Sequence, residues 1–303
     1  MVITKKPEWI RVKGVDESIL NRMKGLLDQY HLHTVCESAV CPNMGTCFSA
    51  GTATFMILGT ICTRNCSFCG VDGGKPLPPD SIEPLHVAQA AQDLGLRHVV
   101  ITSVTRDDLP DGGAFQFAET VQQINQLLPE ASTDVLIPDF QGSRDSLAVV
   151  MEARPDILAH NLETVPRLYA TCRQQADYKR SLTILKYAKE LGPGRFTKSG
   201  IMVGLGETRE EILQVMQDLR EVNCDFLTIG QYLRPSPAQI EVREFIRPEV
   251  FEEYRQLGEE NGFRYVASSP FVRSSFHAEE ALKFVSKQKG TEAEGTKAQR
   301  HKV

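Results

Sequence analysis

Six of the eight cysteines in this 303-residue chain lie within residues 36–69. They form two triplets, Cys36-x4-Cys41-x5-Cys47 and Cys62-x3-Cys66-x2-Cys69, separated by TFMILGT at 54–60, an apolar run of strand length. Any fold must therefore place two sets of thiols beside one early strand. Three chemistries compete for them. Disulfides need an oxidising compartment, and the N-terminus, MVITKKPEWIRVKG, has no apolar core of signal-peptide length and no cleavage site. Structural zinc takes four ligands, commonly as CxxC pairs, whereas one CxxC and two sets of three stand here. Three thiolates suit a cubane iron–sulfur cluster whose fourth iron is open or held by another ligand. Spacing ranks clusters first, zinc second and disulfides last, and leaves all three open.

Composition narrows the class. Hydrophobic residues are 41% and charged residues 24%, the balance of a soluble globular protein. No apolar run approaches the ~20 residues needed to cross a bilayer. A net charge of −5 offers no broad electrostatic footing for nucleic acid. So many thiols imply a reducing cytoplasm or an equivalent compartment. The expectation is a cytoplasmic protein with no nucleic-acid and no membrane partner.

Along the chain, the spacing of Ile19, Leu20, Met23, Leu26 and Leu27 predicts an amphipathic helix over 17–30. His31 and His33 follow it and read as polar surface or packing residues rather than ligands. Beyond Gly70 the pattern becomes βα alternation. Strands are expected at 97–104, 134–139, 156–162, 196–203 and 225–233, and helices at 82–94, 114–128, 145–153, 181–190, 209–222 and 248–261. Residues 265–267 read as an extended exit. Counting the strand before Cys62, this makes six βα units, which predicts a parallel sheet covered by helices. Six are too few for an eight-fold barrel, so the expected fold is α/β, a partial (β/α)6 TIM-type barrel with chemistry at the C-terminal strand ends. Residues 286–303, almost without apolar side chains, read as a disordered tail.

The second triplet, Cys62-TRN-Cys66-SF-Cys69, resembles the CxxxCxxC signature of radical S-adenosylmethionine (SAM) enzymes, including an aromatic, Phe68, before the last cysteine. That resemblance implies a [4Fe–4S] cluster whose fourth iron binds the amino and carboxylate groups of SAM. Reduction then cleaves SAM to a 5′-deoxyadenosyl radical. Gly200-x-Met202-x-Gly204-x-x-Glu207 resembles the loop lining the adenine side of SAM in this superfamily; read by itself it is a tight turn with Glu207 or Thr208 capping a helix. RDDLPDGG at 106–113 stands where the superfamily binds the methionine end of SAM. With the two triplets, the succession RDDLPDGGA, HNLETVPRLY, ADYKRSL, TKSGIMVGLGET, IGQYLRPS and VRSSFHAE resembles the lipoyl synthase family over roughly residues 8–280.

The resemblance implies two [4Fe–4S] clusters. Cys62, Cys66 and Cys69 would hold the SAM-binding one. Cys36, Cys41 and Cys47 would hold an auxiliary one, with a serine of the RSS motif as fourth ligand, Ser275 in preference to Ser274. Residues 1–50 would then be an N-terminal extension carrying the auxiliary-cluster cysteines, 51–264 the barrel, and 265–285 the segment closing the auxiliary cluster. Asn161 and Glu163 would contact SAM. The implied substrate is an octanoyl-lysine on a lipoyl carrier domain, from a 2-oxoacid dehydrogenase E2 or a glycine cleavage H protein. Hydrogen abstraction at C6, then at C8, lets each carbon radical take a sulfur from the auxiliary cluster. An unactivated C–H bond gives an acid or base no foothold, so a cofactor radical must act while the protein positions. An electron donor such as ferredoxin or flavodoxin and iron–sulfur cluster carriers are the other implied partners. Arg234 and Arg273 are candidates for carrier recognition, and Cys172 and Cys224 read as packing residues.

This chain departs from the family pattern at Phe276, where Tyr is usual after RSS, at Ser269 in VASSP, and at SPAQIE, 236–241. These leave carrier preference and C-terminal geometry open. The alternatives are another radical SAM sulfur-insertion enzyme with a different substrate, and a non-catalytic two-cluster electron carrier. The first would lack the pairing of CxxxxCxxxxxC with RSS. The second would not need a six-unit α/β scaffold.

Overall fold

The computed structural model describes residues 6–10, 17–38, 41, 43–49, 54–273 and 284. Ser274, Ser275, Phe276 and the tail expected at 286–303 lie outside them. One eight-stranded sheet runs in chain order: β1 (His33–Thr34), β2 (Thr54–Ile57), β3 (His98–Ser103), β4 (Ser132–Leu136), β5 (Ile157–Ala159), β6 (Phe196–Val203), β7 (Phe226–Gln231) and β8 (Tyr265–Ser268). From β2 onward every pairing is parallel. Only β1 is antiparallel, with His33 opposite Met56. The strands read as nearly continuous buried runs because helices cover one face and the barrel interior the other.

The helices are α1 (Glu17–Gln29), α2 (Val35–Ser38), α3 (Met44–Ser49), α4 (Glu83–Asp93), α5 (Ala114–Leu127), α6 (Arg144–Glu152), α7 (Tyr169–Cys172), α8 (Tyr178–Leu191), α9 (Arg209–Glu221) and α10 (Pro248–Glu260). Six βα units thus run from β2–α4 to β7–α10. Two strands were not legible as such. Residues 265–268 form a seventh parallel strand, pairing Phe226 with Tyr265 through Ile229 with Ser268. The two residues of β1 are too few for any periodicity. Helix α8 begins at Tyr178, ahead of the expected 181, because the Asp177 carboxylate accepts the Arg180 N–H at 2.7 Å and caps it.

Two apolar cores fill the space between sheet and helices. One joins β2–β4 to α4–α6 and takes in Met23 and Leu27 of α1, Cys36 and Phe48. The cysteine-bearing N-terminal segment is therefore built onto the barrel's first strands. The other core joins β6–β8 to α9 and α10 through Ile201, Val215, Leu219, Ile229, Phe251 and Val266. Inside the barrel, Lys198 of β6 pairs with Asp134 of β4, and His98 of β3 stands 3.9 Å from the same carboxylate. Desolvating either the Lys198 or the Asp134 charge alone would cost several kcal/mol, so their pairing ties β4 and β6 together.

At the C-terminal end of β7 the chain needs a missing side chain. A Cβ on Gly230 would lie 2.1 Å from the Val272 carbonyl oxygen and 3.0 Å from Arg273 Nη1, so glycine lets residues 269–273 lie against the sheet. Gly230→Ala should therefore lower stability by about 1–3 kcal/mol. Urea denaturation checks this, and an unchanged midpoint would show that residues 272–273 do not pack there.

Candidate active site

Cys62, Cys66 and Cys69 lie on the loop leaving the C-terminal end of β2. Neighbouring elements hold that loop by hydrogen bonds. The Thr63 N–H and hydroxyl both donate to the Thr105 carbonyl, at 3.0 and 2.9 Å. The Ser67 N–H donates to the Cys172 carbonyl at 3.1 Å, and the Ser67 hydroxyl to the Thr171 carbonyl at 2.7 Å. The Ile240 N–H donates to the Ser67 carbonyl at 2.9 Å, pinning the loop to the irregular strap between β7 and α10. Phe68 packs with Met202, Ile240 and Val242 against buried Cys172, Leu205 and Tyr232. Backbone N–H groups point at sulfur: Thr105 and Arg64 at Cys62 Sγ, 3.3 and 3.4 Å, and Val71 at Cys69 Sγ, 3.5 Å. Burial pushes the Cys69 thiol up to about 11, against the pull of the Val71 N–H. Burial also raises Cys66, with the Arg173 charge opposing.

These thiols wall an open cavity of about 210 Å³, several times the ~30 Å³ share of one water. Across it stands the end of β5. His160 donates Nδ1–H to the Ile137 carbonyl at 2.9 Å, which leaves Nε2 as a buried acceptor with no partner. Burial, aided by the Arg173 charge, lowers the His160 imidazole to about 4. Asn161 Nδ2 donates to Glu163 Oε1 at 3.0 Å, while Asn161 Oδ1 has no partner. Glu163 adopts φ 65°; its N–H donates to the Gly200 carbonyl at 2.9 Å, and its carbonyl accepts the Met202 N–H at 2.8 Å. A Cβ on Gly200 would meet Asn161 Oδ1 at 2.9 Å and Thr228 Oγ1 at 2.6 Å, so that glycine makes room for the asparagine. Arg173 Nη1 donates to the Asn161 and Leu162 carbonyls, 2.9 and 3.1 Å, and its Nε is buried without a partner. Burial raises the Glu163 carboxyl, against the pull of the Arg173 charge.

The structure thus brings Asn161 and Glu163 into one cavity with the second triplet. It adds three residues that the motifs did not single out. His160 opens the HNLET motif but reads as an ordinary strand residue. Arg173 sits in an irregular stretch without periodicity. Arg64 lies between two of the cysteines and borders the cavity. Other loop residues turn inward. Glu207 accepts the Gly204 and Leu205 N–H groups, and Thr208 forms a capping box with Glu211 at the start of α9. Residues 200–207 do not border the cavity. In the 106–113 loop, Arg106 forks onto Asp108, both bonds 2.9 Å, and Asp111 accepts the Gly113 and Phe115 N–H groups.

The first triplet sits on α2, α3 and the turn between them. The Cys41 N–H donates to the Cys36 carbonyl at 2.9 Å, and the Cys47 N–H to the Asn43 carbonyl at 2.9 Å. Burial pushes the Cys36 thiol up to about 12, and Cys41 and Cys47 add to the rise. Burial likewise lifts Cys47 to about 11. Among the described residues no three Cys, His, Asp or Glu side chains gather closely enough for a single ion. Asn43 Nδ2 donates to the Phe271 carbonyl at 2.6 Å, so this turn is tethered to the segment that leads into the RSS motif. Ser275 itself lies outside the described residues. His31 and His33 are exposed. Cys172 and Cys224 are buried.

Neither arginine considered for carrier recognition stands free. Arg234 Nε donates to the Gln239 carbonyl at 2.7 Å and Nη2 to that of Pro237, clasping the 236–241 loop. Arg273 Nη1 donates to the Val272 carbonyl at 2.6 Å, and its charge interacts electrostatically with Cys41 and Glu163.

The radical SAM superfamily pattern matches residues 56–219. A lipoyl synthase of Caldanaerobacter subterraneus subsp. tengcongensis is 58% identical over 278 residues, covering 92% of this chain and 97% of the relative. A lipoyl synthase of Caldicellulosiruptor saccharolyticus is 52% identical over 285 residues, 94% of this chain and 100% of the relative. One from Geobacter sulfurreducens is 55% identical over 278 residues, 92% and 91%. Among solved structures, methylornithine synthase (PylB) aligns with a TM-score of 0.54 at 14% identity, over 79% of this chain and 85% of that one. HydG, a maturase of the [FeFe]-hydrogenase, gives 0.53 at 14% identity, over 84% and 56%. At such identities the structural likeness establishes the fold alone.

His160 supplies a test of the cavity wall. Its proton affinity is lower folded, at about 4, than in an unfolded chain, about 6.5. Between those values the unfolded chain binds more protons, so this group makes stability fall as pH drops from about 6.5 to 4. His160→Gln should remove up to roughly 3 kcal/mol of that pH dependence. Urea unfolding of both proteins at pH 7 and 4.5 measures it, and equal slopes would place His160 in contact with solvent.

Proposed function

The chain belongs to the lipoyl synthase family of the radical SAM superfamily, and from that membership we propose a two-site assignment of its residues. It is a sulfur-inserting transferase of that family, and radical SAM membership brings SAM and a [4Fe–4S] cluster with it. Cys62, Cys66 and Cys69 hold that cluster. Cys36, Cys41 and Cys47, with Ser275, hold a second, auxiliary [4Fe–4S] cluster. The observation that carries the assignment of the second triplet is the shared cavity. It joins the second triplet to three unpartnered polar atoms, His160 Nε2, Asn161 Oδ1 and Arg173 Nε. Acceptors and one donor, fixed in place and unused by the protein, fit a ligand with amino, hydroxyl and carboxylate groups.

When bound, the SAM-loaded cluster supplies the radical, and the auxiliary cluster supplies the sulfur inserted at C6 and C8 of an octanoyl chain. The residues do the holding. N–H groups of Arg64, Thr105 and Val71 stabilise thiolate at Cys62 and Cys69. Asn161 and Glu163 accept from SAM, and Arg173 keeps the β5 end in place through the Asn161 and Leu162 carbonyls. The Asn43–Phe271 bond supports bringing the RSS motif to the first triplet. Residues 1–50 act as the N-terminal extension, 51–264 as the barrel and 265–285 as the closing segment.

The substrate is an octanoyl-lysine of a lipoyl carrier domain, E2 or H protein. A tethered chain arrives at high effective concentration and fixed depth, which free octanoate cannot match. The reductant is of the ferredoxin or flavodoxin type, and iron–sulfur cluster carriers are further partners. The site of action is the cytoplasm; among the described residues no helix is long and apolar enough to cross a membrane.

One experiment tests the assignment. Reconstituted protein is given SAM, a reductant and an octanoylated lipoyl domain, and 5′-deoxyadenosine and lipoyl product are quantified by mass spectrometry. Cys66→Ala should make neither. Cys41→Ala and Ser275→Ala should still make 5′-deoxyadenosine but no lipoyl product. Free octanoate should stay unconverted with the unaltered protein. Lipoyl product from Cys41→Ala would remove the first triplet as sulfur source, and efficient conversion of free octanoate would remove the carrier.

A further inference from the structure

Arg64 is the side chain between Cys62 and Cys66, and it is 5% exposed. Its guanidinium forks onto Asp107 at the end of β3, with Nε–Oδ2 at 2.6 Å and Nη2–Oδ1 at 2.9 Å. Nη2 also donates to Asp139 Oδ1 beyond the end of β4, at 2.6 Å. Asp139 is fully buried, and its other oxygen accepts from Arg180 Nε of α8 at 2.8 Å. A second route closes the ring. The Asn65 N–H donates to Gln175 Oε1 at 2.9 Å, and Arg180 Nη2 donates to the Gln175 carbonyl at 3.1 Å. Two arginines and two aspartates balance in charge, so the Asp139 carboxyl is held at about 2 in spite of burial.

The backbone bears out the tightness of this clamp. Phe140 and Gln141, next to Asp139, both adopt left-handed conformations, φ 42° and 51°. Non-glycine residues keep such angles where their surroundings over-determine them. The Gln141 N–H donates back to Asp139 Oδ1 at 3.1 Å. Local strain is thus accepted to aim one carboxylate at Arg64.

We propose that Arg64 is a positioning residue, which fixes the cysteine loop against β3, β4 and α8 so that the second triplet faces the Asn161–Glu163 wall at one distance. The proposal rests on the two-site assignment above. The bidentate fork is what matters. A lysine keeps the charge but cannot grip Asp107 with two bonds while reaching Asp139. A loop displaced by about an ångström would slow a reaction that depends on alignment by about 100-fold. It would do so without changing which groups bind SAM.

The test compares Arg64→Lys, Asp107→Asn and the unaltered protein, each reconstituted, with Arg144→Ala as a control for an exposed ion pair (Arg144–Glu190, 2.6 Å). Iron per chain and melting temperature give the loaded, folded fraction. For that fraction, kcat and KM for SAM cleavage are measured, with the electron paramagnetic resonance spectrum of the reduced protein with and without SAM. Arg64→Lys should load iron, lose about 10- to 100-fold in kcat, keep KM within about threefold, and show an altered spectrum only when SAM is present. Asp107→Asn, partly exposed and tolerant of change, should show the same signature more weakly. Wild-type kcat and spectrum in both variants would overturn the proposal, as would losses that track only the loaded, folded fraction. A rise in KM at constant kcat would make Arg64 a binding residue instead. Failure of the unaltered protein to cleave SAM would instead count against the two-site assignment.

Discussion

Three thiols on one irregular loop are held by backbone hydrogen bonds within the loop and to its neighbours, and the buried ion pair between Arg64 and Asp139 anchors that loop to the end of the next strands. Breaking such a pair by removing one partner costs about 3–5 kcal/mol, a sizeable share of the ~5–15 kcal/mol by which a domain is stable. The pair works because both strands it reaches end at the same rim. Parallel β3 and β4 deliver Asp107 and Asp139 to the C-terminal edge of the sheet, where β2 delivers the cysteines. Parallel strands joined by right-handed crossovers make that convergence a property of the fold.

A second tie joins the ends of the chain. Asn43, in the first cysteine turn, holds the Phe271 carbonyl. Gly230 lets residues 272–273 settle against β7. The Arg273 charge then lies within electrostatic reach of both Cys41 and Glu163. The N-terminal segment packs on the first core and the C-terminal segment on β7, so the intervening barrel carries both to one rim.

Much of this was legible in the residues, for physical reasons that can be named. Apolar runs such as TFMI in β2 and VVI in β3 announced parallel strands because both faces of the sheet are covered. Cys62-x3-Cys66-x2-Cys69 announced a site because thiols are too reactive to cluster idly. What was hidden depends on tertiary geometry. Strand β8, YVAS, is too short to differ from an exit segment until it pairs with β7. Arg173 and Asp139 lie 34 residues apart in numbering and carry no shared motif, yet both wall the cavity. Arg234 and Arg273, candidates for carrier recognition by sequence, are engaged by hydrogen bonding to nearby carbonyls.

The inserted sulfur comes, on the two-site assignment, from a cluster the protein itself carries. Rebuilding the clusters with ³⁴S-sulfide and weighing the lipoyl product by mass spectrometry tests it most directly. The assignment predicts product carrying ³⁴S at both C6 and C8 in a single turnover, without added sulfide. Product carrying only natural-abundance sulfur would contradict it.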